Sequence, residues 1–83
     1  MIIFMQDKTG FVNFNNVTSV GLEELHIPFD DDEEKKCCIT ARTPADETVV
    51  LGYYKSAARA RDILEKLANA IGLGMYKYDM PQK

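Results

Sequence analysis

The sequence predicts an α+β domain: a largely antiparallel sheet of five to six short strands crossed by one helix in the C-terminal half, in the order β-β-β-β-β-α-β. Three observations predict it. Residues 1–54 read as short apolar or alternating stretches punctuated by Asp, Asn, Gly and Pro. Only residues 56–71 carry a sustained 3.6-residue apolar period. A chain of 83 residues has room for one domain, 1–83. At that size folding buries roughly two-thirds of the surface an unfolded chain exposes, so the core is thin and function is expected on a surface or between copies.

The first strand is the near-continuous apolar run 1–6, the pattern of a strand covered on both faces. Asp7, Lys8, Thr9 and Gly10 supply a turn in which Gly10 is the residue able to take positive φ. Residues 11–14 return as the second strand, and Asn15-Asn16 form another tight turn. Residues 17–25 make the third strand, with Thr18, Val20 and Leu22 on its covered face and Gly21 marking a bulge or a close backbone approach. The stretch 26–36 breaks the pattern: Pro28 lacks a backbone donor, and Asp30, Asp31, Asp32, Glu33 and Glu34 are five like charges that repel and cannot be buried unpaired. An acidic, solvated loop over 27–36 is expected.

The fourth strand, 37–43, places Cys37, Ile39 and Ala41 on the core side and Cys38, Thr40 and Arg42 on the other, so one thiol is expected in the core and one at the surface. Adjacent cysteines cannot close a disulfide on each other without a strained ring. After a turn at 44–47, residues 48–54 form the fifth strand, rich in β-branched and aromatic residues. Ser56 can cap a helix whose stripe is Ala60, Leu64, Leu67 and Ile71, flanked by Ile63 and Ala70; Asp62 and Lys66 form an acid-first i,i+4 pair. Gly72 stands where a left-handed C-cap residue belongs, with Gly74 a further break. A sixth strand over 75–81 completes the order, with Tyr76, Tyr78 and Met80 on one face; were it to run parallel to the fifth strand, the crossover would be right-handed.

The segments Phe11-Val12-Asn13-Phe14-Asn15-Asn16-Val17-Thr18-Ser19-Val20 and Val50-Leu51-Gly52-Tyr53-Tyr54, the helix 56–71 and the ending Tyr78-Asp79-Met80-Pro81 give the chain a resemblance to small uncharacterised proteins of Gram-positive bacteria and their phages. The resemblance covers most of the chain and rests on hydropathy and turn residues. It implies a compact α+β domain of bacterial or mobile-element origin and carries over no catalytic residue. The Cys37-Cys38 pair and the acidic run stand outside it.

The tests for chemistry are mostly negative. Asp30, Asp32 and Glu34 match positions 1, 3 and 5 of a calcium loop, but Lys35 replaces the required Gly and Ala41 the bidentate Glu. His26 with two adjacent thiols lacks the ligand spacing of a zinc site, and nothing orients His26 toward either thiol as a base. No glycine-rich phosphate cradle is present. The expectation is therefore no metal, no cofactor, no catalytic residue and no small-molecule substrate. The apolar run at residues 1–5 is too short for a signal-peptide core or a membrane span, which makes a cytoplasmic location the default.

Charge divides unevenly along the chain, whose net charge is −3. Residues 1–43 hold 8 acids and 4 bases, whereas residues 44–83 hold 5 acids and 6 bases. Tyr53, Tyr54, Lys55, Arg59 and Arg61 combine stacking rings with phosphate-pairing charges, the ingredients of a single-stranded nucleic-acid binder, on a small electrostatic footprint. The acidic run invites the opposite reading, an inhibitor seated in a basic groove. The first expectation is a non-enzymatic interaction module that binds a protein partner or itself through a sheet edge or through Tyr76, Tyr78 and Met80 on the last strand, paired in place or exchanged between copies.

Overall fold

The computed structural model describes residues 1–25 and 36–83. The acidic run 30–34 and His26 lie outside the described residues. The strands are β1 (Ile2–Phe4), β2 (Phe11–Asn13), β3 (Ser19–Glu24), β4 (Cys37–Arg42), β5 (Thr48–Tyr54) and β6 (Lys77–Asp79), with one helix, α1 (Ala57–Gly72), between β5 and β6. The α+β class and the element order follow the sequence. The single sheet does not: the strands form two three-stranded sheets, β2-β1-β6 and β3-β4-β5.

The division begins at Asn13. Its side chain accepts from Asn15 N at 3.0 Å and caps a 3-10 turn over Phe14–Asn16, closed by Val17 N donating to Phe14 O at 3.0 Å. Phe14, expected to end the second strand, instead starts this turn after donating to Met1 O at 2.8 Å. The chain is thereby redirected, so β3 opens a second sheet rather than extending the first. The β1–β2 hairpin itself is held at Asp7, whose carboxylate accepts from both Thr9 N (3.0 Å) and Thr9 Oγ1 (2.7 Å), which also lowers its pKa. The left-handed residue of this turn is Lys8 at φ 59°, not Gly10.

In the second sheet β4 is central, antiparallel to both neighbours. Val20 and Leu22 pack against the core, as their even-numbered positions in the third strand predict. No bulge falls at Gly21; the register shift lies between β4 and β5 at Ile39/Thr40, where Leu51 is the extra residue between Val50 and Gly52. That shift repairs a parity conflict. Val49 and Leu51 are odd-numbered and Tyr54 even-numbered, yet all three meet the core. Without a bulge a strand would turn one set away.

Five of the six β4 residues are buried. Cys38, expected at the surface, is buried like Cys37. A central strand explains it: the short Cys38 side chain sits between cross-strand neighbours Glu23 and Tyr53, both longer. It lies outside the main core cluster, which Cys37 joins.

α1 starts where Ser56 Oγ accepts from Arg59 N at 3.1 Å and runs one residue past the expected end. Gly72 is helical; Gly74, at φ 73°, takes the left-handed position. Gly74 N donates to Ile71 O and Met75 N to Ala70 O, each at 3.1 Å, the paired bonds of a Schellman motif. The buried line is Ala60, Ile63, Leu67 and Ala70, which turns Leu64 and Ile71 to the margin of the interface. Asp62 pairs with Lys66 at 3.2 Å and with Arg59 at 3.1 Å. β6 then runs parallel to β1, in register Ile3↔Tyr78, and not beside β5. Ile3, Ile39, Leu51, Ile63 and Met80 belong to one core, so both sheets and the helix bury a common apolar volume. Among the described residues no helix is long and apolar enough to cross a membrane.

Candidate interaction surface

The structure separates the residues that the sequence groups together. Of Tyr76, Tyr78 and Met80, only Tyr76 is open, at 80% exposure; Tyr78 is half-buried and Met80 is a core residue. Main-chain bonds from Ile2 N to Tyr76 O (2.9 Å) and from Met80 N to Phe4 O (3.0 Å) bracket this strand within its own chain. The three therefore do not form one contact surface.

The basic and aromatic set is dispersed as well. Tyr54 is 1% exposed, with its hydroxyl donating to Pro81 O at 2.9 Å. Burial, reinforced by the neighbouring Tyr78, pushes its pKa up to about 12. Arg59 is half-buried and engaged: Nε and Nη2 donate to the main-chain oxygen of Lys83 at 2.9 and 2.7 Å, and Nη1 pairs with Asp62. Tyr53, Lys55 and Arg61 are exposed. Three residues of the five remain at the surface, with one ring among them, which is a poor stacking platform for a single strand.

One organising residue went unread in the sequence. Gln6, expected to end the first strand, leaves it after Phe4 and crosses to the other sheet. Its N–H donates to Leu51 O at 2.9 Å, its side-chain Oε1 accepts from Tyr53 N at 2.8 Å, and its Nε2 donates to Tyr53 O at 2.7 Å and to Gln82 O at 2.8 Å. A side-chain amide has the same donor and acceptor as a peptide, so Gln6 continues the hydrogen-bonding edge of β5 as another strand would. Gln82 Nε2 answers by donating to Gln6 O at 2.7 Å. One edge of the second sheet is thus capped from within the chain at Leu51 and Tyr53.

The other edge is β3. It has six residues and pairs, among the described residues, with β4 alone. The edges of the first sheet are blunted by length, since β2 and β6 have three residues each. Beside β3 runs a groove of about 220 Å³ between the strand and α1, lined by Phe14, Thr18, Val20, Leu64, Ala68 and Ile71 among others, with no charged side chain among the described residues that line it. Its apolar character follows from the shifted stripe of α1, which leaves Leu64 and Ile71 half-buried on this side. An edge strand flanked by an amphipathic helix offers a partner strand main-chain hydrogen bonds and a place for its side chains at once.

Both thiols have raised pKa values. Burial is the main cause in each, with Glu24 adding to it at Cys37 and Glu23 at Cys38, so neither is activated as a nucleophile. Among the described residues no three His, Cys, Asp or Glu side chains come together as a metal site. Comparison of the chain with protein-family models, with curated proteins and with solved structures finds no match.

Proposed function

We propose that this chain is a small, non-enzymatic interaction module of bacterial or phage origin, working in the cytoplasm, that binds a protein by accepting a strand on the outer edge of β3. The observation that carries the reading is the contrast between the two edges of one sheet. The β5 edge is capped by Gln6 at Leu51 and Tyr53, whereas β3, among the longest strands, pairs among the described residues with β4 alone and lies against an apolar groove. A domain of this size, with a thin core, has few other places to recognise a partner. The raised thiol pKa values support a binding role over nucleophilic chemistry. The engagement of Arg59 and the burial of Tyr54 weigh against the nucleic-acid alternative.

A photo-crosslinking side chain placed at Ser19, on the β3 edge, and separately at Lys55 as an exposed control, tests the reading in an extract of the native host. Adducts that form from position 19, map to one extended segment of a single protein and are absent from position 55 are the expected result. Equal labelling from both positions, or none from position 19, overturns it.

A further inference from the structure

We infer that the strand received by β3 is the β3 of a second copy, paired antiparallel about a two-fold axis at Gly21, so that two three-stranded sheets join into one of six. This rests on the edge-addition reading above and names its partner.

Gly21 is the first reason. A glycine inside a strand costs roughly 0.5–1 kcal/mol relative to alanine and usually marks a positive φ or a close approach. Neither holds among the described residues: its φ is not positive, and a Cβ built there would meet no described atom within 4 Å. The residue sits near the middle of the β3 edge, which pairs with no further strand among the described residues. A two-fold there sets Gly21 opposite Gly21 of the second copy, so no side-chain pair has to be matched at the axis.

Charge fixes the register. β3 ends in Glu23 and Glu24, so parallel in-register pairing of two copies would set acid against acid. An antiparallel two-fold at Gly21 instead places Ser19 opposite Glu23 of the second copy and Val20 opposite its Leu22. Arg42 is the β4 partner of Ser19 and therefore shares its face. Two strand spacings, about 9–10 Å between Cα atoms, separate Arg42 from that Glu23, with only the short Ser19 between them. An extended arginine and a glutamate span this gap. The symmetry makes the contact twice. Arg42 is exposed and holds Asp46 at 3.6 Å in a surface pair that contributes little, so it can be redirected at small cost. On the other face Leu22 of the second copy joins Val20 at the mouth of the apolar groove.

Sedimentation velocity of the purified full chain from micromolar to millimolar concentration tests the inference. A dimer is expected. Glu23→Arg and Arg42→Glu each set like charges against one another and weaken it about tenfold, and the double reversal restores it. Both positions are exposed, so the fold tolerates the changes, and circular dichroism checks that. A chain that remains monomeric at millimolar concentration, a dimer indifferent to both single reversals, or a double variant that fails to recover overturns the inference. A monomer whose position 19 still crosslinks to a different protein defeats the second-copy partner and leaves edge addition standing; a monomer without such crosslinks defeats both.

Discussion

Gly21 and Gly52 both interrupt apolar strands, and their surroundings are opposite. A Cβ on Gly52 would lie 2.7 Å from the Tyr54 hydroxyl oxygen and 3.0 Å from two of its ring carbons. Tyr54 is a stiff, buried side chain with its hydroxyl committed to Pro81, so it cannot swing aside freely. Gly52→Ala is therefore expected to destabilise the protein by about 2–3 kcal/mol, through overpacking and a strained hydrogen bond. Gly21→Ala, which enters open space on ordinary backbone, should be neutral or stabilising by up to about 1 kcal/mol in dilute solution. Urea unfolding of the two variants checks this, and equal midpoints would contradict it. The sequence shows two similar glycines and directs attention to Gly21 as a bulge or a close backbone approach. What distinguishes them is parity, legible in principle: Val49 and Leu51 can share the core with Tyr54 only if the strand slips by one residue, and Gly52 lies at that slip. The same limit applied to Tyr54 and Arg59. Residue type gives the chemistry of a side chain, whereas its direction depends on strand phase and on what the C-terminal residues reach.

At the scale of elements, signals that act within a few residues were readable and those that choose a neighbour were not. Ser56 caps α1 as its hydroxyl and position predict, and β5 spans the residues its composition marks. Asn15-Asn16 announced a turn, but the same residues serve a hairpin or a departure to another sheet, and the Asn13 cap on the 3-10 turn selects the second. Likewise β6 is visible as a short strand, while its choice of β1 over β5 is set by packing in three dimensions. The helix end gives a paired prediction. Gly72 is helical with no atom near a prospective Cβ, so Gly72→Ala should stabilise by up to about 1 kcal/mol through helix propensity. Gly74 holds φ 73°, and Gly74→Ala should cost about 1–2 kcal/mol, because an L side chain there clashes with its own backbone. Thermal melts of the two variants should move in opposite directions. A sequence-only placement of the cap at Gly72 demands the reverse order.

For the whole molecule, Tyr54 is the residue through which the parts hold one another. Its main-chain oxygen accepts from Lys36 N at 3.0 Å, its ring covers Gly52, and its hydroxyl holds Pro81, next to the Gln82 that Gln6 engages and near the Lys83 that Arg59 grips. Both sheets, the helix and the C-terminal residues thus converge on one buried phenol. This convergence has a consequence for alkaline stability. Burial foremost, then repulsion from Tyr78, raises the Tyr54 pKa from 10.0 to about 12, against a smaller opposing pull from Arg59. The folded state therefore keeps a proton that the unfolded state releases near pH 10. The stability tied to that proton is intact below pH 10 and is lost as pH climbs from 10 toward 12. Cys37, Cys38 and Tyr78 are also raised, so the decline should begin near the ordinary thiol pKa of 9.0 and steepen above 10. Urea midpoints measured from pH 8 to 12 should trace this limb. Tyr54→Phe should lower stability at neutral pH by about 1 kcal/mol, the net value of the lost hydrogen bond, and flatten the limb between pH 10 and 12. A variant that loses neutral stability yet keeps the full alkaline slope would move the source of that slope to Tyr78 and the thiols.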